Sequence, residues 1–216
     1  MPITINGSGT VTGISAGGLP DDCIVTADIA DNNVTTAKID NISVTEIKIA
    51  DNNVTPAKLA QPLTLETAQS ATGTEVDFTS IPSWVKRVTV MFGGVSTNGA
   101  SAVQVQIGAG SILSSGYLGA SAWSVNTVGI AASNNTSGFR VDNFGLAGDT
   151  RHGIATLALV GTNVWVFSSV IGLSDSAAVG YAGGSIGLAG ALDRVRITTV
   201  NGTDTFDAGT INIMYE

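Results

Sequence analysis

The sequence has one cysteine and one histidine, and its charged residues (Asp, Glu, Lys and Arg) make up only 12% of the 216 positions. Cys23 has no second cysteine in its chain, so an intrachain disulfide is excluded and a buried thiol is expected. One histidine and one cysteine in distant segments cannot supply the four ligands of a zinc site, so we expect no metal and no cofactor. Lysine and arginine are rarely clustered and the net charge is -8, which argues against nucleic acid as a partner because phosphate binding needs a basic patch.

Long apolar runs are also missing. No stretch approaches the roughly 18 consecutive apolar residues of a transmembrane helix, and the first residues lack the charged and apolar regions of a secretory signal. We therefore expect no membrane insertion. The protein is expected to be made in the cytoplasm and to leave by a route other than a signal peptide, of which cell lysis is one.

Catalytic signatures are equally scarce. His152 stands beside Asp149 and Arg151, but no Gly-x-Ser-x-Gly element accompanies it. A glycosidase needs two carboxylates that face one cleft, and spacing alone pairs none of the aspartates in the second half of the chain: Asp142, Asp149, Asp175, Asp193, Asp204 and Asp207. No catalytic residue is predicted, and the chain is expected not to be an enzyme.

What the sequence does contain, first of all, is a repeat. An apolar residue returns at every fifth position within motifs of nine or ten residues: Ile24, Ile29, Val34, Ile39, Val44, Ile49, Val54 and Leu59. Asp-Asn turns and Pro56 interrupt any long helix, so residues 23–62 are predicted to form a shaft of short turns. One unit has too few apolar side chains to offset the entropy of ordering it, and the ladder is expected to face a symmetry axis shared by identical chains. Three ladders can enclose a narrow dry axis, whereas two would leave their side chains half wet, so a homotrimer is predicted.

The amino-acid composition of residues 63–216 differs from that of the repeat. The chain contains 27 glycines and much serine, threonine and valine, which favour turns and strands over helices. The fold class is predicted to be all-β, with this region an antiparallel β-sandwich of jelly-roll type. Two hairpins are predicted at Gly161–Asn163 and Asn201-Gly202. Gly184-x-x-Gly187-x-x-Gly190 is interpreted as a mobile loop or a close-packed strand, and the strand candidates are 74–78, 85–95, 102–107, 116–118, 138–141, 153–160, 164–171, 195–200 and 210–215.

The first 22 residues alternate apolar and polar positions and end in Gly-Gly-Leu-Pro, as in a short strand pair. Such a pair is marginal alone and is predicted to dock on a partner. The docking side chains would be Ile3, Ile5, Val11, Ile14 and Leu19.

Three aromatic residues are candidates for a surface that binds a ligand. Trp84 and Trp165 lie in apolar runs and are predicted to be core. Trp123 lies in a polar segment and is the best surface candidate, accompanied by Tyr117 and Tyr181 in glycine-rich stretches.

The opening INGSGTVTGISAGGLPDD, the units VTTAKI and VTPAKL, and the closing TTVNGTDTFDAGTINIMYE resemble bacteriophage virion fibre proteins and their prophage relatives. The resemblance implies a plan of three parts: a virion-attachment segment at 1–22, a repeat shaft at 23–62 and a C-terminal β domain at 63–216. It implies a tail or head fibre located on the virion, with partners that include further copies of the chain, other phage structural proteins and a host-surface glycan or protein.

The function expected on this basis is that of a homotrimeric fibre subunit that presents its C-terminal domain for host attachment or receptor binding. One alternative is a capsid head fibre or decoration (cement) protein. A further alternative, from the enzyme class, is a small depolymerase of capsular polysaccharide or O-antigen.

Overall fold

The computed structural model describes residues 24–40, 43–51, 53–55, 58–125 and 130–216. The chain divides into two compact units, Met1–Thr55 and Pro56–Glu216. The predicted attachment residues Ile3, Ile5, Val11, Ile14 and Leu19, and Cys23 with them, lie outside the described residues, so these predictions stay as they are.

The first unit is a succession of short turns that recur every ten residues. Single turns of 3-10 helix occupy Thr26–Asp28, Thr36–Lys38 and Glu46–Lys48. In each, a backbone N–H donates to the carbonyl three residues earlier, as from Lys38 to Thr35 and from Lys48 to Thr45, both at 2.9 Å. A second turn alternates with these, closed by bonds such as that from Ser43 N to Asp40 O at 3.0 Å.

The lysines of this unit reach back to the preceding turn. Lys38 Nζ donates to Asn33 O at 2.5 Å, and Lys48 Nζ donates to Ser43 O at 2.6 Å. Like the bonds that close the turns, these two connect residues no more than five apart in the sequence. The turns are thus stabilised locally, one after another.

The second unit is built from β-strands. Their bounds are β1 (Thr64–Leu65), β2 (Gln69–Ser70), β3 (Glu75–Thr79), β4 (Arg87–Thr97), β5 (Val103–Ala109), β6 (Ser111–Ile112), β7 (Leu118–Val125), β8 (Ala131–Asn135), β9 (Phe139–Arg140), β10 (Arg151–Gly161), β11 (Val164–Leu173), β12 (Ala178–Gly187), β13 (Arg194–Thr199) and β14 (Phe206–Tyr215). The described residues contain no α-helix. The prediction of an all-β fold with antiparallel sheets is confirmed.

Two antiparallel sheets enclose one hydrophobic core. The larger has the order β1-β14-β4-β10-β11-β12-β7-β8, with β2 also paired to β14, and the smaller has the order β3-β13-β5-β6, with β9 also paired to β5. Val88 and Leu157 of the larger sheet and Val105 and Ile197 of the smaller are fully buried in the same cluster. Alternation produces this core, since along β11 every second side chain from Trp165 to Leu173 is buried and those between are more exposed.

The nine strand candidates all overlap strands of the structure, although 116–118 meets only the first residue of β7. The hairpin at Gly161–Asn163 is confirmed, because β10 and β11 pair antiparallel across it. The hairpin at Asn201-Gly202 is wrong. A turn does occur there, with Gly202 at φ 67°, but β13 belongs to the smaller sheet and β14 to the larger, so the chain crosses between sheets instead of folding back on itself.

Gly184 and Gly187 lie in β12, so the strand interpretation is confirmed for these two, whereas Gly190 lies beyond the end of the strand. A Cβ at Gly184 would lie 2.8 Å from Leu118 O and 2.9 Å from Phe139 Cε1. Glycine is required at this position because the neighbouring strand and an aromatic ring both approach the backbone closely.

Candidate functional site

The predicted shaft side chains form a regular exposed series, which we call the apolar ladder: Ile24, Ile29, Val34, Ile39, Val44, Ile49, Val54 and Leu59. The isoleucines at 29, 39 and 49 are 41–43% exposed, and the valines at 34, 44 and 54 are 53–54% exposed. Each side chain of the ladder is thus about half exposed in the single chain. Ile47 lies in the same repeat but outside the series, and it is 91% exposed.

No core accompanies the ladder in the described part of the first unit. Every residue from 24 to 55 whose burial the structure describes is exposed. Apolar side chains at this density, all of them exposed, are typical of a surface that another chain covers.

A cavity of about 570 Å³ opens in the second unit. Three segments form it: the end of β7, the loop that connects β9 to β10, and the turn between β11 and β12. Its lining consists of Trp123, Val125, Asn143, Phe144, Gly145, Leu146, Asp149, Leu173, Ser176 and Ala177. This volume lies in the usual range for small-molecule sites, about 300–1,000 Å³.

Trp123 forms the aromatic wall of the cavity, so the strongest of the predicted surface residues lines a site of suitable size. Its ring is partly exposed and stands 5.4 Å from the ring of Phe144, at an interplanar angle of 52°. Phe144, Leu173 and Ala178 form a small buried cluster against which Trp123 packs. The indole is therefore held on one side and open on the other.

The loop wall of the cavity is held by Arg151, which is completely buried at the start of β10. Its Nε donates to Asp142 Oδ2 at 2.8 Å, Nη1 donates to Asp149 O at 3.1 Å, and Nη2 donates to Phe144 O at 3.4 Å. One guanidinium thus holds three points of the loop between β9 and β10, which has no strand of its own. Burial raises the pKa of Asp142, and the positive charge of Arg151 opposes that rise.

Further hydrogen bonds fix the polar groups of this loop. Asn143 Oδ1 accepts from Ser133 Oγ at 2.6 Å and from Arg140 Nη1 at 3.1 Å. Asp149 Oδ2 accepts from Leu146 N at 3.1 Å. These bonds leave Asn143 Nδ2 and Asp149 Oδ1 without a partner among the hydrogen bonds of the described residues.

Gly180 of β12 allows this loop to lie against the sheet. A Cβ there would stand 2.3 Å from Asp142 Cβ and 3.1 Å from Phe144 Cε2. The missing side chain of Gly180 therefore makes room for the buried ion pair and for the floor of the cavity.

The other two predicted ligand residues do not join Trp123. Tyr181 is exposed, but Gly180 is the residue paired with Trp123 while Tyr181 is paired with Ala122. Since neighbours along a strand point to opposite faces, Tyr181 and Trp123 lie on opposite faces of the sheet.

Tyr117 is not a surface residue, so its prediction as one is wrong. It is 1% exposed, and its ring packs edge-on against Phe139 at 4.8 Å. Its hydroxyl accepts from Ile107 N at 2.8 Å and donates to Leu113 O at 3.0 Å. Burial raises the pKa of Tyr117 to about 12. The glycine-rich sequence around it reflects a tight connection over a packed aromatic, and not an open loop.

The aspartates considered for hydrolysis have structural contacts. Asp142 is fully buried against Arg151. Backbone N–H groups donate to Asp149, Asp175, Asp193 and Asp204, and the Ser96 hydroxyl donates to Asp207. The His152 ring is exposed, with Nε2 3.2 Å from Ser174 Oγ. Within the described ranges, no group of three or more acidic, histidine or cysteine residues is arranged to hold a metal, and no helix has the length and apolar character needed to span a bilayer.

A second apolar surface, which we call the outer face, is the side of β7, β10, β11 and β12 that points away from the core. Register places Ile154, Val170 and Tyr181 next to one another on β10, β11 and β12, all exposed. The ionisable residues of β7, β10, β11 and β12 are only Arg151, which is buried, His152 and Tyr181. Solvent-facing sheets of soluble domains normally carry polar and charged residues at such positions.

Arg151, Asn143 and Phe144 are parts of the site that the sequence alone did not predict. A signal was present in the run from Phe139 to Arg151, which combines four charged residues and two phenylalanines in a chain otherwise poor in charge. Comparison with models of protein families, with curated proteins and with solved structures gave no match to this chain.

Proposed function

We propose that this chain is a non-enzymatic structural subunit of a bacteriophage fibre, assembled as a homotrimer. Residues 1–22 attach it to the virion and residues 23–62 form a threefold shaft. Residues 63–216 form a β-sandwich of jelly-roll type that presents a binding surface to a host glycan or protein. The observation that carries the proposal is the apolar ladder, regular and half open along a segment whose described residues form no core.

Other copies of the same chain are the best cover for the ladder. A repeated surface needs a partner with the same ten-residue period, and an identical chain in parallel register supplies it at every position. Closed rotational symmetry is the common arrangement of identical chains. Threefold symmetry encloses each side chain from two sides, which suits residues that are about half exposed in the single chain.

The outer face supports the same assembly. Copies that are joined through their ladders hold their C-terminal units at high effective concentration. Residues 63–216 contain ten acidic and six basic residues, a net charge of -4, so a face with almost no charge is where these regions of different copies can meet without strong repulsion. We therefore assign the outer face to contacts between copies.

The mass of the purified chain in solution tests the assembly. Sedimentation equilibrium at micromolar concentration is expected to give three times the 21.8 kDa of one chain. A folded monomer or dimer over the whole concentration range would overturn the proposal.

Labelling of intact particles tests the location. An antibody to residues 63–216 is expected to decorate the tail of the phage or induced prophage that encodes the chain. Label on the capsid would replace the tail fibre by a head fibre or decoration protein, and particles without label would remove the virion assignment.

A further inference from the structure

The cavity at Trp123 has the properties of a prepared binding site. Its aromatic wall is partly exposed, whereas Trp165, elsewhere in the same sheet, is 2% exposed. Facing Trp123 is a loop with polar groups at fixed positions, the amide of Asn143 and the carboxylate of Asp149. An aromatic face combined with a few convergent polar groups is typical of small-molecule sites.

Formation of the loop between β9 and β10 also carries a free-energy cost. Asp142 and Arg151 are both removed from water, and a buried ion pair is often no more stabilising than an apolar replacement of the same size. What the pair does provide is position, because Arg151 holds Asp142, Phe144 and Asp149 at once. A rigid loop loses little conformational entropy on binding, which raises the affinity of a site.

The lining selects among ligand classes by charge. The Arg151 cation is neutralised by Asp142, and Arg140 is directed to Asn143 and Ser133. Among the described residues that line the cavity, Asp149 is the one with a formal charge, so the site repels anions. It also lacks the paired acids or the aromatic cage that would hold a strong cation.

We infer that this cavity binds a neutral saccharide, with a pyranose ring on Trp123 and hydroxyl groups directed to Asn143 and Asp149. The C–H groups on one face of a pyranose present weakly positive hydrogens to the negative face of an indole. Its hydroxyls can donate to the second carboxylate oxygen of Asp149 and accept from the amide nitrogen of Asn143. A volume of about 570 Å³ accommodates one or two sugar rings. The inference rests on the proposed function and deepens it, since it names the class of host molecule for the C-terminal domain.

The test uses the full chain and defined sugars. Saturation-transfer NMR and titration calorimetry are run with glucose, galactose, mannose, N-acetylglucosamine and lactose, and with sialic acid and glucosamine as anionic and cationic probes. We expect at least one neutral sugar to bind saturably. Trp123→Ala should weaken that binding at least tenfold, whereas Thr162→Ala, in the exposed turn of the β10–β11 hairpin at the other end of these strands, should leave it unchanged.

A second variant tests the cavity independently, in case Trp123→Ala does not fold. Ala177 is an exposed turn residue at the rim of the cavity, so Ala177→Trp should fill the opening without disturbing the buried cluster, and it should also abolish binding. The inference is overturned if none of the neutral sugars binds, if only a charged probe binds, or if Ala177→Trp and Trp123→Ala both bind as well as the original chain.

Oligomeric state, measured on the same samples, separates this inference from the proposed function. A trimer that binds none of the neutral sugars removes the saccharide site and leaves the fibre. A monomer that binds sugar through Trp123 would remove the fibre and leave the saccharide site.

Discussion

Truncation of one ladder residue should weaken the assembly of the chain by a calculable amount. Ile39 is 41% exposed in the single chain, and its exposed part is what other copies would cover. Complete burial of an isoleucine side chain contributes about 1.5–3 kcal/mol, so burial of the open part contributes about 1 kcal/mol per chain. In a trimer this amounts to about 3 kcal/mol, or roughly a 100-fold change in the equilibrium constant for dissociation.

The variant is Ile39→Ala, and Ile47→Ala is its matched control. Both remove the same atoms, from successive units of the repeat, but Ile47 lies outside the ladder and is 91% exposed. Sedimentation equilibrium across a dilution series measures dissociation directly. We expect Ile39→Ala to dissociate at concentrations at which the original chain and Ile47→Ala are still assembled.

Dissociation of the two variants at the same concentration would refute the role of the ladder. If both variants are weakened equally, the ladder contributes no more to assembly than the other apolar residues of the repeat. Equal stability would mean that the exposed part of Ile39 stays in water in the assembled state.

Three further outcomes are expected for the second unit. Gly180→Ala should lower the free energy of unfolding by about 1–3 kcal/mol in denaturant titrations, because the new Cβ overlaps Asp142. Gly183→Ala is the control on the same strand, since its Cβ would lie 3.8 Å from Phe167 O, and it should change stability little. Because the pKa of Tyr117 is about 12 in the folded chain against 10.0 ordinarily, the unfolded chain loses the phenolic proton first, and stability should fall by about 2–3 kcal/mol between pH 10 and 12. Tyr117→Phe should remove that part of the pH dependence, and an unchanged slope would contradict it. Val170→Glu, on the outer face, should weaken association in sedimentation, whereas Ala189→Glu, exposed after β12, should leave association unchanged.

Regular patterns in the sequence predicted much of the fold. The long strands β4, β10 and β11 combine β-branched residues with alternation, so their positions follow from the chain alone. The period of ten in the first unit was equally visible, because identical turns need identical residues at identical spacing.

The parts that were missed depend on contacts between distant residues. β12 contains four glycines, which disfavour a strand locally. It forms because Asp142 and Phe139 occupy the space that side chains at Gly180 and Gly184 would take. The same long-range packing hides Tyr117 and brings Trp123 to the loop held by Arg151. Residue type alone could select Trp123 but could not supply the opposite wall of its cavity.

The local bonding of the first unit has a consequence for how such a segment changes in length. Since the hydrogen bonds of its turns reach no further than five residues, deletion or duplication of one decapeptide would leave every remaining turn intact and keep isoleucine in phase with isoleucine. A change of five residues would instead place two isoleucines or two valines in succession and break the alternation of the two kinds of turn. Variation in whole decapeptides is therefore the change that such a segment tolerates, and its reach can be tuned independently of the β domain.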